Sequence, residues 1–208
     1  MEKAVGDTKP TLSDRMRIWF KWVLDPLATF FNRIGMTPMM MTMLGLAGNF
    51  VGAYFVALGK MTTGGLFMLF STPFDALDGH MARQRGEANE WGGFVDSVTD
   101  RYGELAILGG LLYYFAFGGN TPAAVVTFAA AAGTVLVSYI RARAEAVGFE
   151  AKVGLLTRVE RYLILAPLLV FNQPVWAVWL IALFANFTAL QRIYHVRSQA
   201  RAKKQERV

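Results

Sequence analysis

Apolar residues in this chain come in long blocks separated by short polar or charged connections. Six blocks, residues 36–58, 61 to about 83, 92–117, 121 to about 146, 155–171 and 174 to about 195, each come near the roughly 20 residues that a helix needs to cross a bilayer. The pattern predicts an all-α integral membrane protein with six transmembrane helices. Ahead of them, Leu12, Met16, Trp19, Phe20, Val23, Leu27, Phe30, Phe31 and Ile34 recur at helical spacing, with Arg15, Arg17 and Lys21 on other faces. That stretch reads as an amphipathic helix lying in the membrane interface, broken near Pro26. The expected organisation is a polar tail and juxtamembrane helix over residues 1–35, a six-helix domain over 36–196 and a solvated basic tail over 197–208.

Three blocks have a purely apolar part too short to cross about 30 Å of hydrocarbon: residues 61–74, 105–117 and 162–171. Their helices must therefore extend through Asp75 and Asp78, through Asp96 to Glu104, and through Arg158 to Arg161. Ionisable groups at membrane depth are costly unless they face a wet cavity or one another. The pattern thus predicts a cavity lined by acidic residues of the second and third spans and basic residues of the fifth.

Composition and charge add orientation. The chain has 208 residues, 54% of them hydrophobic, a net charge of +6 and no cysteine. Lysine and arginine crowd the N-terminal segment, the connection after the second span, the long connection before the fifth and the C-terminal tail, whereas only Lys60 sits on the opposite side. By the positive-inside rule both termini and the charged cavity are cytoplasmic, and the expected location is the plasma membrane. The basic balance is read as this bias plus attraction to anionic lipid headgroups; no aromatic-basic module points to nucleic acid. No short apolar leader with a cleavage site is evident at the start.

The chemistry concentrates between Asp75 and Asp100. The spacing is D-x-x-D-G-x-x-A-R, eight residues, then G-x-x-x-D-x-x-x-D, filled by Asp75, Asp78, Gly79, Ala82, Arg83, Gly92, Asp96 and Asp100. Steps of three and four keep each aspartate pair on one helix face. The short connection folds the second helix back on the first, so four carboxylates face one another. Oxygen donors without thiolate favour a hard cation, Mg²⁺ or Mn²⁺. Two such ions roughly 4 Å apart could bind a diphosphate and stabilise a leaving phosphate.

This pattern resembles the signature of the CDP-alcohol phosphotransferases, membrane enzymes that move a phosphatidyl group from a CDP-linked lipid to an alcohol and release CMP. The resemblance implies that Asp75, Asp78, Asp96 and Asp100 hold two metal ions and that Asp100 is also the general base. It places Thr37, Pro38, Met39, Met40, Asp78, Gly79, Ala82, Arg83 and Asn89 against the CDP-lipid, Met39 standing where a polar residue is usual. Thr42 falls beside them, whereas His80 and Trp91 occupy variable positions and are not expected as ligands.

Beyond the motif, Ser138 and Arg141 are three apart, as are Arg158 and Arg161, and Arg192 closes the last span. This is more positive charge than one metal-bound diphosphate needs, which points to a second anionic ligand. These segments look closest to the phosphatidylinositol phosphate synthases, where Ser138, Arg141, Arg161 and Arg192 match the acceptor-phosphate pocket. The implied reaction transfers the phosphatidyl group of CDP-diacylglycerol to an inositol phosphate hydroxyl and releases CMP; glycerol 3-phosphate is the alternative acceptor, and a cation transporter the alternative class. Glu104 is expected to extend the site or to pair with Arg101. Glycines such as Gly45, Gly48, Gly64, Gly65, Gly109 and Gly110 suit close packing of helices or of subunits, and the resemblance implies a homodimer.

Overall fold

In the computed structural model, which describes residues 12–205, the chain forms seven helices and, among those residues, no strand. They are α1 (Leu12–Arg33), α2 (Pro38–Ala57), α3 (Met61–Arg85), α4 (Glu90–Phe117), α5 (Thr121–Ala146), α6 (Arg158–Val170) and α7 (Pro174–Gln205). Residues 1–10, expected to form a loose tail, lie outside the described residues, as do 206–208. The side chains of the first half of α1, which carry much of its expected amphipathic stripe, lie there too.

Local chemistry sets the helix ends nearest the charged stretch. Thr37 caps α2, its hydroxyl accepting from the Met40 N–H at 3.2 Å, and Pro38 takes the first helical position. Gly86 stops α3 in the left-handed conformation at φ 67°, and Asn89 starts α4 by accepting from the Gly92 N–H at 2.8 Å. The connection between α3 and α4 is therefore shorter than the spacing suggested, but α4 does not fold back onto α3 as expected: both helices pack on α2 instead.

Helix α2 packs against both α3 and α4, α5 lies against α4 and α7, and α6 fits between α3 and α7. One core joins them, with Val56, Met68, Ile107, Leu111, Leu165 and Ile181 fully buried. Backbones approach closely where glycine allows it: a Cβ on Gly64 would lie 2.8 Å from the Gly52 carbonyl oxygen, and one on Gly110 would lie 2.5 Å from that of Ala53. Gly109 has open space instead. A smaller cluster of Leu24, Ala28, Met41, Leu77 and Met81 docks α1 on α2 and α3.

Helix α2, helix α5 and residues Pro174–Lys203 of α7 are long and apolar enough to cross a membrane. Large apolar side chains such as Phe50, Phe70, Phe117, Phe128, Trp176 and Leu183 point outward. A surface of this kind needs lipid or another chain against it, and the molecule is a membrane protein.

Three elements differ from expectation. Helix α1 runs through Pro26 without interruption. Helix α6 begins only at Arg158 and has 13 residues, about 20 Å; Thr157 before it is extended, and its side chain bonds to that of Glu160 without capping the helix backbone. Before it, Ala151 and Leu156 are buried in non-helical chain, and the Leu156 N–H donates to Thr188 Oγ1. Helix α7 continues to Gln205, because the basic tail is rich in Arg, Ala, Lys and Gln and lacks Gly and Pro. Gln199 and Lys203 then tie it to the backbone oxygens of Glu150 and Gly148.

Candidate active site

Helices α3 and α4, each seated on α2, bring the four aspartates of the motif to one end of the bundle. Asp78 is buried; its Oδ2 accepts from Thr42 Oγ1 at 2.6 Å and its Oδ1 from the Gly79 N–H at 2.5 Å. Asp75 and Asp100 are bridged by one guanidinium, that of Arg158 at the start of α6. Arg101 lies 3.6 Å from Asp100 and donates to the Ser97 carbonyl. Asp96 is near enough to Asp75, Asp78 and Asp100 for its charge to act on each.

Among the described residues no three carboxylates converge in ligating geometry, since Arg158 stands between two of them. Yet Asp96 Oδ1 is buried without a hydrogen-bond partner. A buried carboxylate oxygen left unpaired calls for a cation, and a donor set made only of carboxylates suits a hard divalent one. The residues present fit such an ion.

Beside the aspartates opens a cavity of about 850 Å³. Thr37, Pro38 and Met39 of the α2 start line it, with Asp78, Gly79, Ala82 and Arg83 of α3 and the cap Asn89. Met40 does not, because one further step of the helix turns its side chain away; it is half exposed. Thr42, Asp75 and Asp96 also face the cavity, as do His80 and Trp91 at the variable motif positions. Leu24 of α1 closes one side.

The expected acceptor residues gather from three helices. Arg192 of α7 is close enough to Arg141 of α5 and Arg161 of α6 for their charges to repel. Arg161 is 2% exposed and grips Glu104 in a two-point pair at 2.5 and 2.9 Å. Glu104 thus pairs with Arg161, not Arg101. Arg192 donates to the carbonyl oxygens of Val137 and Val153 at 2.6 and 2.9 Å. Arg141 is exposed and meets Glu145 one turn on at 3.0 Å. Ser138 is half-buried one turn before Arg141.

Sequence reasoning missed the bridging role of Arg158, although its three-residue spacing from Arg161 put both on one face. Tyr162 was also missed: it sits under the Arg158 guanidinium at 5.5 Å, and its buried hydroxyl has no partner.

A family model for CDP-alcohol phosphatidyltransferase matches residues 35–192. The phosphatidylinositol phosphate synthase of Streptomyces avermitilis is 37% identical over 208 residues, covering 92% of this chain and 85% of its own. The crystal structure of Mycobacterium tuberculosis phosphatidylinositol phosphate synthase with CDP-DAG bound superposes with a TM-score of 0.78 at 31% identity, over 84% of this chain and 93% of that one. The same enzyme in complex with manganese and citrate gives 0.79 at 32%, over 83% and 88%. With three of the four signature aspartates lining a cavity, Asp100 joined to Asp75 through Arg158, and the match running through all but the first of the helices, the chain belongs to the CDP-alcohol phosphatidyltransferase family and is an enzyme.

Proposed function

We propose that the chain transfers the phosphatidyl group of CDP-diacylglycerol to a hydroxyl of an inositol phosphate, forming phosphatidylinositol phosphate and CMP in membrane phospholipid synthesis. The observation that carries this reading is the pairing of two unlike regions: a carboxylate-edged cavity between α2, α3 and α4, and a cluster of three arginines from α5, α6 and α7. The relatives named phosphatidylinositol phosphate synthase, one of them with CDP-DAG bound, support it.

In the transfer the acceptor oxygen bonds to the lipid-bearing phosphorus, the bond from that phosphorus to the CMP oxygen breaks, and the hydroxyl proton passes to Asp100. Asp75, Asp78, Asp96 and Asp100 would hold two Mg²⁺ or Mn²⁺ ions, which when bound neutralise the diphosphate and the leaving phosphate; the manganese-bound relative supports a divalent cation here. Gly79 and Ala82 let the nucleotide approach the α3 backbone, and Arg83 and Asn89 face it from the cavity wall. Ser138, Arg141, Arg161 and Arg192 receive the acceptor phosphate. Most of the acceleration comes from positioning and charge neutralisation.

In the membrane, α2 to α7 make six spans, with residues 151–157 completing the passage that α6 begins, and α1 lies in the interface. Residues 36–196 form the catalytic domain, between a juxtamembrane segment and a basic tail. Both ends and the cavity face the cytoplasm across the plasma membrane, and the active form is a homodimer among membrane lipids. Lysine and arginine placement supports the orientation. Because the chain lacks cysteine, single cysteines at Gly119 and Ala200 test it: an impermeant maleimide should label only Gly119→Cys in intact cells.

The enzymatic test incubates purified protein with CDP-diacylglycerol and Mg²⁺ and measures CMP with inositol phosphate, glycerol 3-phosphate or serine as sole acceptor. Inositol phosphate should give the fastest release. Release with serine and with neither phosphorylated polyol would overturn the acceptor.

A further inference from the structure

His80 gives its two ring nitrogens unlike partners. Nε2 meets Asp25 Oδ1 on α1, and Nδ1 lies 3.3 Å from Arg83 Nη2, one turn further along α3. A guanidinium only donates, so Nδ1 is the acceptor and the ring hydrogen sits on Nε2, donated to Asp25. One neutral tautomer satisfies both partners. The imidazole therefore links an acidic residue of α1 to a basic one on the cavity wall, and both His80 and Arg83 line that cavity. The Arg83 guanidinium lies over bare backbone, since a Cβ on Gly79 would be 3.3 Å from its Nη1.

We propose that Asp25 and His80 are positioning residues for the donor: they fix the direction of the Arg83 guanidinium, so that it meets the diphosphate of the CDP-linked lipid already aligned. This rests on the donor assigned above. The chain is specific to this sequence pattern, because it needs a ring with one donor and one acceptor at position 80 and a carboxylate on α1 opposite. Helix α1 is also held by bonds that do not involve Arg83: Asn32 donates to Gln84 at 3.1 Å, and Arg85 donates to Asn32 at 2.7 Å, while also donating to the Met36 carbonyl in the connection that follows α1 at 2.6 Å. Those bonds separate docking of α1 from alignment of Arg83.

The test uses the full chain in detergent with Mg²⁺, reading CDP-diacylglycerol binding by calorimetry and KM and kcat by CMP release. His80→Ala should weaken donor binding and raise donor KM by about five- to tenfold at unchanged kcat, the size expected for one ordinary hydrogen bond. His80→Gln, whose amide both donates and accepts, should restore most of the loss. His80→Ala should add nothing once Arg83 is already alanine. Asn32→Ala, which loosens α1 without touching Arg83, should leave donor KM at the wild-type value. Additive losses in the double variant, an Asn32→Ala effect equal to that of His80→Ala, or no change in His80→Ala would each overturn the proposal. Wild-type protein that binds no CDP-diacylglycerol would overturn the donor reading and this proposal together, whereas binding by wild type with no effect of His80→Ala removes only the latter.

Discussion

The carboxylate end of α3 and α4 and the arginine cluster of α5, α6 and α7 carry opposite charges, and they are built on opposite plans. Around the aspartates, side chains face an open cavity, two carboxylates share a single guanidinium, and Asp96 keeps a buried oxygen with no partner. Around the arginines, Arg161 is closed on Glu104 and Arg192 on two carbonyl oxygens, out of water. The acidic region is short of positive charge and accepts more. The basic region is largely satisfied from within, and its one loosely held member is Arg141, whose exposed pair with Glu145 is weak. On the acceptor reading proposed above, Arg161 and Arg192 would form a fixed positive frame, and Arg141 would be the arm that exchanges partners when a phosphate arrives.

The largest effect that tests this contrast is at Asp100. Asp100→Asn should lower kcat by about 10⁴-fold while CDP-diacylglycerol binding, read by calorimetry, stays within about threefold, because a base is lost but the cavity is not. Equal loss of binding and turnover would move Asp100 from base to donor site. Next comes Arg161→Ala, which strands Glu104 in the core and should cost about 3–5 kcal/mol in thermal unfolding. Replacing both partners by Met should recover most of that; a single variant as stable as wild type would show that the frame is not held by this pair.

Smaller, at about 2 kcal/mol because its pairs are partly exposed, is the loss expected for Arg158→Met. Here Mn²⁺ should raise the melting midpoint more than in wild type, since the guanidinium no longer occupies Asp75 and Asp100. Equal manganese shifts in the two proteins would mean that Arg158 does not compete with the ion. Smallest is Arg141→Ala: stability within about 0.5 kcal/mol, acceptor KM up about fivefold and donor KM unchanged. A change confined to donor KM would reverse the assignment of the two regions.

Much of the acidic region was legible because it is local. Asp75 with Asp78 and Asp96 with Asp100 share faces by helical period alone, and Gly86 and Asn89 carry the chemistry of a helix stop and start. The apolar blocks likewise gave the order and approximate ends of α2 to α5. What escaped depends on partners far along the chain. Arg158 finds Asp75 across 83 residues, and Asp25 meets His80 across 55. No spacing rule encodes such pairings. The short α6 and the extended α7 escaped for a different reason: hydropathy marks where a segment is apolar, whereas local backbone conformation, extended at Thr157 and helix-forming in the tail, decides where the backbone coils.

The contact between Gly52 and Gly64 has a reach beyond its own surroundings. From Gly64 to Asp78 along α3 is 14 residues, about 21 Å of helix. At one end the two backbones touch because neither carries a methyl; at the other, Thr42 of α2 closes on Asp78 and the chain before it forms a wall of the cleft. The pair sets how near α2 and α3 come at that end, so the spacing of the two helices that carry the cleft wall is gauged far from the cleft itself, by two hydrogens where carbon would otherwise stand.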